Sequence, residues 1–178
     1  HYNSCRDKDK MEELIKKISK IQVDKYIIDL RYNSGGDSSI IRPLIEFLKG
    51  KKVVALINEY VFSSGRMALV ELKKIGAYVI GTNISTSLNA FGNNPSEYKI
   101  DGTELIVKRS SNYFLYDSDY NCESFSKNNF FEYFKDKKEL LEPVFIEPDL
   151  EVKETVNDIV TRRDRQMMAA FQYLEDNF

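Results

Sequence analysis

Residues 53–82, VVALINEYVFSSGRMALVELKKIGAYVIGT, decide how the chain is read. Residues 53–57 are an apolar run of strand length, and residues 58–62 read as a turn. After Ser63-Ser64-Gly65, apolar Met67, Leu69, Val70, Leu72 and Ile75 recur at roughly helical spacing. Gly76 supplies a helix stop, and residues 78–81 read as a second strand. The stretch therefore predicts a strand–turn–helix–strand unit with a serine at the mouth of the helix. That serine has two readings. As an N-cap, its hydroxyl accepts a bond from an orphan backbone N–H. As a nucleophile, it lies where free N–H groups and the positive end of the helix dipole stabilise a developing anion.

Upstream, residues from about 7 to 22 carry Met11, Leu14, Ile15, Ile18 and Ile21 among lysines and acids, the pattern of an amphipathic helix. Residues 26–30 (YIIDL) are a short apolar strand interrupted by Asp29, and residues 31–37 (RYNSGGD) a polar loop. A helix is expected from Ser38 to about Lys49, closed by Gly50. Residues 1–5 read as the tail of a strand. Alternating strands and helices imply crossover connections and a largely parallel sheet in an α/β core.

Downstream of Thr82 the character changes. Residues 83–95 are polar and aperiodic, a loop. Residues 98–100 and 105–108 flank Asp101-Gly102 as a β-hairpin extension, and 112–116 make a further strand. Residues 117–129 are polar with interleaved aromatics, 130–138 a short helix, and 158 to about 174 one final helix. The aromatics and the Met167-Met168 pair are read as packing.

The 178 residues suit a single domain with a proper core. A net charge of −2 makes no case for nucleic acid or an anionic membrane surface. No apolar run reaches the length of a membrane span, and no signal peptide is seen. The opening HYNSC, without Met, reads as a fragment of a longer chain or a processed form. Cys5 and Cys122 allow one disulfide without demanding it. One histidine and two scattered cysteines argue against a metal, and no cofactor is expected.

Paired glycines at 35 and 36, between a buried strand and a helix, let backbone N–H groups approach a ligand without Cβ interference. A tight turn ahead of a helix is the simpler alternative. Asp29, if buried, needs a partner that Arg31 can supply.

These residues together carry a resemblance. Asp29-Leu30-Arg31-Tyr32-Asn33-Ser34-Gly35-Gly36 resembles the D-L-R-x-N-x-G-G loop of the S41 serine peptidases, which include C-terminal processing and tricorn-like proteases. Residues 56–65 (LINEYVFSSG) resemble that family's N-x-x-T-x-S nucleophile segment. The strand ending in Gly81-Thr82, the Asp101-Gly102 hairpin and residues 145–149 (FIEPD), a variant of G-V-x-P-D, are similar to its later landmarks. The resemblance implies an α/β core of the ClpP/crotonase-like kind, a peptide or unfolded-protein substrate, and a place in the cell envelope or outside the cell. A Cys5–Cys122 disulfide would fit that compartment.

By the same resemblance Ser63 is the nucleophile, and the amides of Ser64 and of Gly35 or Gly36 form the oxyanion hole. The processing proteases use a Ser–Lys dyad, but the matching segment here, residues 84–93, holds no lysine. The tricorn-like branch uses histidine and glutamate, which fall on His1 and Glu142. A leading histidine is also what a purification tag leaves, and Glu142 is also readable as a solvated charge. The expected function is a serine endopeptidase. The alternative is a peptidase-like domain that lacks a general base and only binds peptides. An acyl-transfer or CoA-dependent enzyme ranks last, because the serine segment has no role there.

Overall fold

The computed structural model describes residues 8–92 and 96–178; His1 and the expected strand tail at 1–5 lie outside them. Its contacts divide the described residues into two compact units, residues 8–86 with 146–178, and residues 87–92 with 96–145. The first unit opens with α1 (Lys8–Ile18), which buries Met11. It continues through β1 (Lys25–Asp29), α2 (Arg42–Leu48), β2 (Lys52–Ile57), α3 (Ser64–Lys74) and β3 (Tyr78–Gly81). β1, β2 and β3 pair in parallel, in that order. From Val53 to Ile57 every residue of β2 is buried, as expected of a central parallel strand covered on both faces. Residues 38–41 form turns, and α2 begins later than expected. Pro43 explains the delay, because it is tolerated in the first turn of a helix and not beyond.

The second unit is antiparallel. It contains β4 (Ala90–Gly92), β5 (Ser96–Lys99), β6 (Ile106–Arg109), β7 (Asn112–Tyr116), β8 (Cys122–Ser126) and α4 (Lys127–Phe134). β4, β7 and β8 form one sheet, and β5 and β6 the expected hairpin. Two expectations are corrected here. β4 lies in the segment read as a loop, and β8 in the polar stretch 117–129. β8 is exposed along most of its length and pairs with β7 alone, so its residues need no apolar alternation. α4 ends four residues before the expected Lys138, and a 3-10 turn at Lys138–Leu141 follows. The packing role of the aromatics holds: Tyr113, Phe130 and Phe134 are buried against one another, with centroids 4.8–5.3 Å apart.

The chain then completes the first unit. β9 (Leu150–Glu151) pairs with β3, giving the parallel order β1-β2-β3-β9. The single final helix is in fact two, α5 (Val156–Val160) and α6 (Arg165–Asp176). Arg162 takes a positive φ of 54°, which interrupts the helix, and Asp164 caps the new start by accepting from the Met167 N–H at 2.9 Å. α6 lays Met167, Ala170 and Leu174 on Val54, Leu56 and Ile80 of the sheet. The methionine pair divides, with Met167 against the core and Met168 exposed. Among the described residues no helix is long and apolar enough to cross a membrane.

Candidate active site

β2 ends at Ile57, and the chain turns through residues 58–63 into α3. Ser63 is exposed at the head of that helix, with φ 51° and ψ −122°. Such angles are uncommon for a residue with a Cβ and persist only where neighbours enforce them. The Ser63 hydroxyl makes no capping bond, so the bond that one reading of this serine required is not made. Ser64, by contrast, is 3% exposed, and its hydroxyl has no partner. As the first residue of α3 it presents an N–H with no intrahelical acceptor.

The diglycine bend lies directly against this turn. A Cβ on Gly35 would stand 2.6 Å from the Ser63 Cβ and 3.1 Å from the Ser64 nitrogen. With φ 103°, position 35 needs glycine for conformation as well as for space. Gly65, in the first turn of α3, is pressed as tightly on Asn33: a Cβ there would meet the Asn33 carbonyl oxygen at 2.6 Å.

Two asparagines make the junction. Asn33 is fully buried, and its carbonyl accepts from the Phe62 N–H at 2.9 Å while its side-chain oxygen accepts from the Gly35 N–H at 2.9 Å. Asn58, also buried, accepts through Oδ1 from the N–H of Tyr32 at 3.2 Å and of Tyr60 at 3.1 Å. One asparagine thus ties the loop to the turn from the loop side, and the other from the turn side. Both lie within the resembling segments, where residue type alone indicates no task for either. The usable signal is the Asx turn, in which an asparagine side chain accepts from the amide two residues on. Gly35 and Tyr60 are those residues.

Below the loop, the expected Asp29–Arg31 partnership is present and larger than expected. Arg31 donates to both carboxylate oxygens of Asp29 (3.0 and 2.8 Å) and both of Asp164 (2.9 and 2.8 Å). It also donates to the Gln166 side-chain oxygen at 3.3 Å. The hydrogen bonds to Asp29 hold the guanidinium more firmly protonated than usual, and the Arg31 hydrogen bond holds Asp164 below the ordinary carboxylate range. Paired fork-to-carboxylate contacts fix the planes of all three groups. Through Asp164, which also caps α6, the loop before the diglycine bend is anchored to the last helix.

The expected site residues are therefore distributed as follows. Ser63, Ser64 and Gly35 come together at the end of the parallel sheet, and Gly36 follows Gly35 in the same bend. Glu142 is exposed just after the 3-10 turn, in the second unit. His1 and Cys5 lie outside the described residues, and Cys122 is exposed on β8. A cleft of about 580 Å³ opens beside Tyr32 and Asn58, lined also by Glu59, Thr82, Glu151 and Glu154, and Ser63 is not among its walls. Among the described residues no cluster of three or more metal-ligating side chains occurs.

No protein-family model and no curated protein matches the sequence. Solved structures do match. A candidate S41 protease from Bacteroides fragilis aligns with a TM-score of 0.64 at 13% identity, covering 99% of this chain and 54% of its own. A candidate peptidase from Parabacteroides merdae aligns at 0.61 and 17% identity, covering 97% and 59%. The tricorn protease aligns at 0.58 and 21% identity, covering 98% of this chain and 17% of its own. The chain thus spans between half and three-fifths of the length of the first two. At the level of fold, the chain is therefore similar to solved S41 peptidases.

Proposed function

We propose that the chain is a serine endopeptidase of the S41 type, cleaving peptides or the C-terminal regions of proteins through Ser63. One observation carries the reading: an exposed hydroxyl on a strained turn at a helix head, with Gly35 abutting it. Ser63 Oγ adds to the scissile carbonyl carbon and gives its proton to a base, and the carbonyl oxygen becomes an oxyanion. Collapse of the adduct breaks the C–N bond, the protonated amine leaves, and water hydrolyses the acyl-enzyme. In this reading the amides of Ser64 and Gly36 hold the oxyanion, since the Gly35 N–H is given to Asn33 and Gly35 supplies clearance. His1 is the general base and Glu142 orients or assists, as the resemblance implies. The core is of the ClpP/crotonase-like kind, and the compartment is the cell envelope or beyond.

The test is hydrolysis of a denatured protein. Activity is expected to vanish in Ser63→Ala and to persist in Ser64→Ala, whose hydroxyl is buried without a partner. Hydrolysis surviving Ser63→Ala contradicts the assignment. The second reading, a domain that binds peptides without cutting them, is favoured by the absence of lysine from residues 84–93. Peptide binding with no turnover by a chain carrying its native N-terminus would establish it.

A further inference from the structure

Three aromatic side chains stand exposed on the two segments that meet at Ser63: Tyr32, Tyr60 and Phe62, at 52, 57 and 55% of their surface. Tyr32 and Tyr60 stack on each other, with centroids 5.3 Å apart and planes inclined by 20°. Their backbones are pinned by one group, the buried Asn58 Oδ1, which accepts from both amides. Tyr32 adopts φ 64°, an unfavourable conformation for a bulky residue. Core packing explains neither the exposure nor the conformation, because both rings lie at the surface. The pair is a rigid aromatic face held in place from beneath.

Its position is bounded by chain length. Tyr60 precedes Ser63 by three residues, and Tyr32 precedes Gly35 by three. An extended chain advances at most about 3.5 Å per residue, so both tyrosine backbones lie within roughly 10 Å of the junction. That is the length of about three residues of an extended peptide.

We infer that the Tyr32–Tyr60 stack determines specificity, binding an aromatic or large aliphatic side chain of an extended peptide within three residues of the scissile bond. The inference rests on the peptidase reading for the location of that bond. A ring laid on the pair gains an aromatic contact beyond the area it buries, whereas a polar side chain gains none.

The test uses short, end-blocked polar peptides carrying a single Phe moved through every position, compared with the all-polar parent. Hydrolysis by the full chain and binding to its Ser63→Ala variant are both measured. Cleavage within three residues of Phe is expected, with a preference over the parent of about three- to tenfold that falls toward one in Tyr60→Ser. Equal treatment of Phe and parent peptides, or an unchanged preference in Tyr60→Ser, overturns the inference. Discrimination in binding without hydrolysis would overturn the peptidase reading and keep the stack's role; hydrolysis without discrimination would do the reverse. Neither binding nor hydrolysis overturns both.

Discussion

The junction of residues 31–36 with 58–63 is held by buried polar groups, whereas residues 112–134 of the second unit are held by rings. At the junction, Asn33, Asn58 and Arg31 fix backbone and carboxylate positions by directed bonds, and Tyr32 and Ser63 keep strained angles. In the second unit, Tyr113, Phe130 and Phe134 pack edge to face or tilted, and Leu115, Phe125 and Tyr133 surround them. Directed bonds cost more to desolvate than apolar packing and gain less net stability, but they fix geometry. The contrast fits the proposed reading, in which conformation is specified by polar contacts where Ser63 must be placed and by packing in the second unit.

The largest effect separating the regions is expected from Ser63→Ala. Turnover should fall by at least about 10³-fold. Because the side chain is exposed and caps nothing, urea unfolding should shift by no more than about 0.5 kcal/mol. A large stability loss there would mean the turn serves folding instead. Arg31→Met removes the guanidinium from the buried Asp29 carboxylate and should destabilise by about 3–5 kcal/mol, read by the same unfolding curve. Phe134→Ala, in the aromatic cluster, should cost a similar ~3–5 kcal/mol for a different reason, a cavity among rings.

The contrast also explains what the sequence disclosed. The parallel sheet was legible because β1, β2 and β3 carry apolar runs punctuated by helical periods, and burial on both faces demands that composition of the central β2. The Ser63 and diglycine segments were legible as motifs, since spacing and residue type persist when geometry is hidden. β8 was not, because an exposed strand paired on one side needs no apolar alternation. The break between α5 and α6 was not legible although residues 161–166 (TRRDRQ) hold no apolar side chain, because Val160 and Met167 stand seven residues apart, two turns along one helix face. Its local signal is a cap at each start, Thr155 with Asp158 and then Asp164. Asn33 and Asn58 were passed over because a polar residue in a loop reads as solvated until its burial is known.

Smaller effects sharpen the comparison. Asn58→Ala leaves two backbone amides without their acceptor and should cost about 1–3 kcal/mol, with turnover falling further than stability alone explains. A change confined to stability would reduce Asn58 to a folding residue. The smallest effect is in pH. Arg31 holds the folded-state pKa of Asp164 below its unfolded value, so the pair stabilises the fold above that unfolded value and ceases to as pH falls through the folded one. The thermal midpoint of the parent chain should therefore exceed that of Asp164→Asn near neutrality, and the gap should close below about pH 4.

The central claim is that Ser63, and not its buried neighbour, is the reactive hydroxyl. Labelling the chain with a fluorophosphonate and mapping the adduct by peptide mass spectrometry tests it most directly. The account predicts a single adduct on Ser63, abolished in Ser63→Ala and retained in Ser64→Ala. An adduct on Ser64, or labelling that persists in Ser63→Ala, would contradict it.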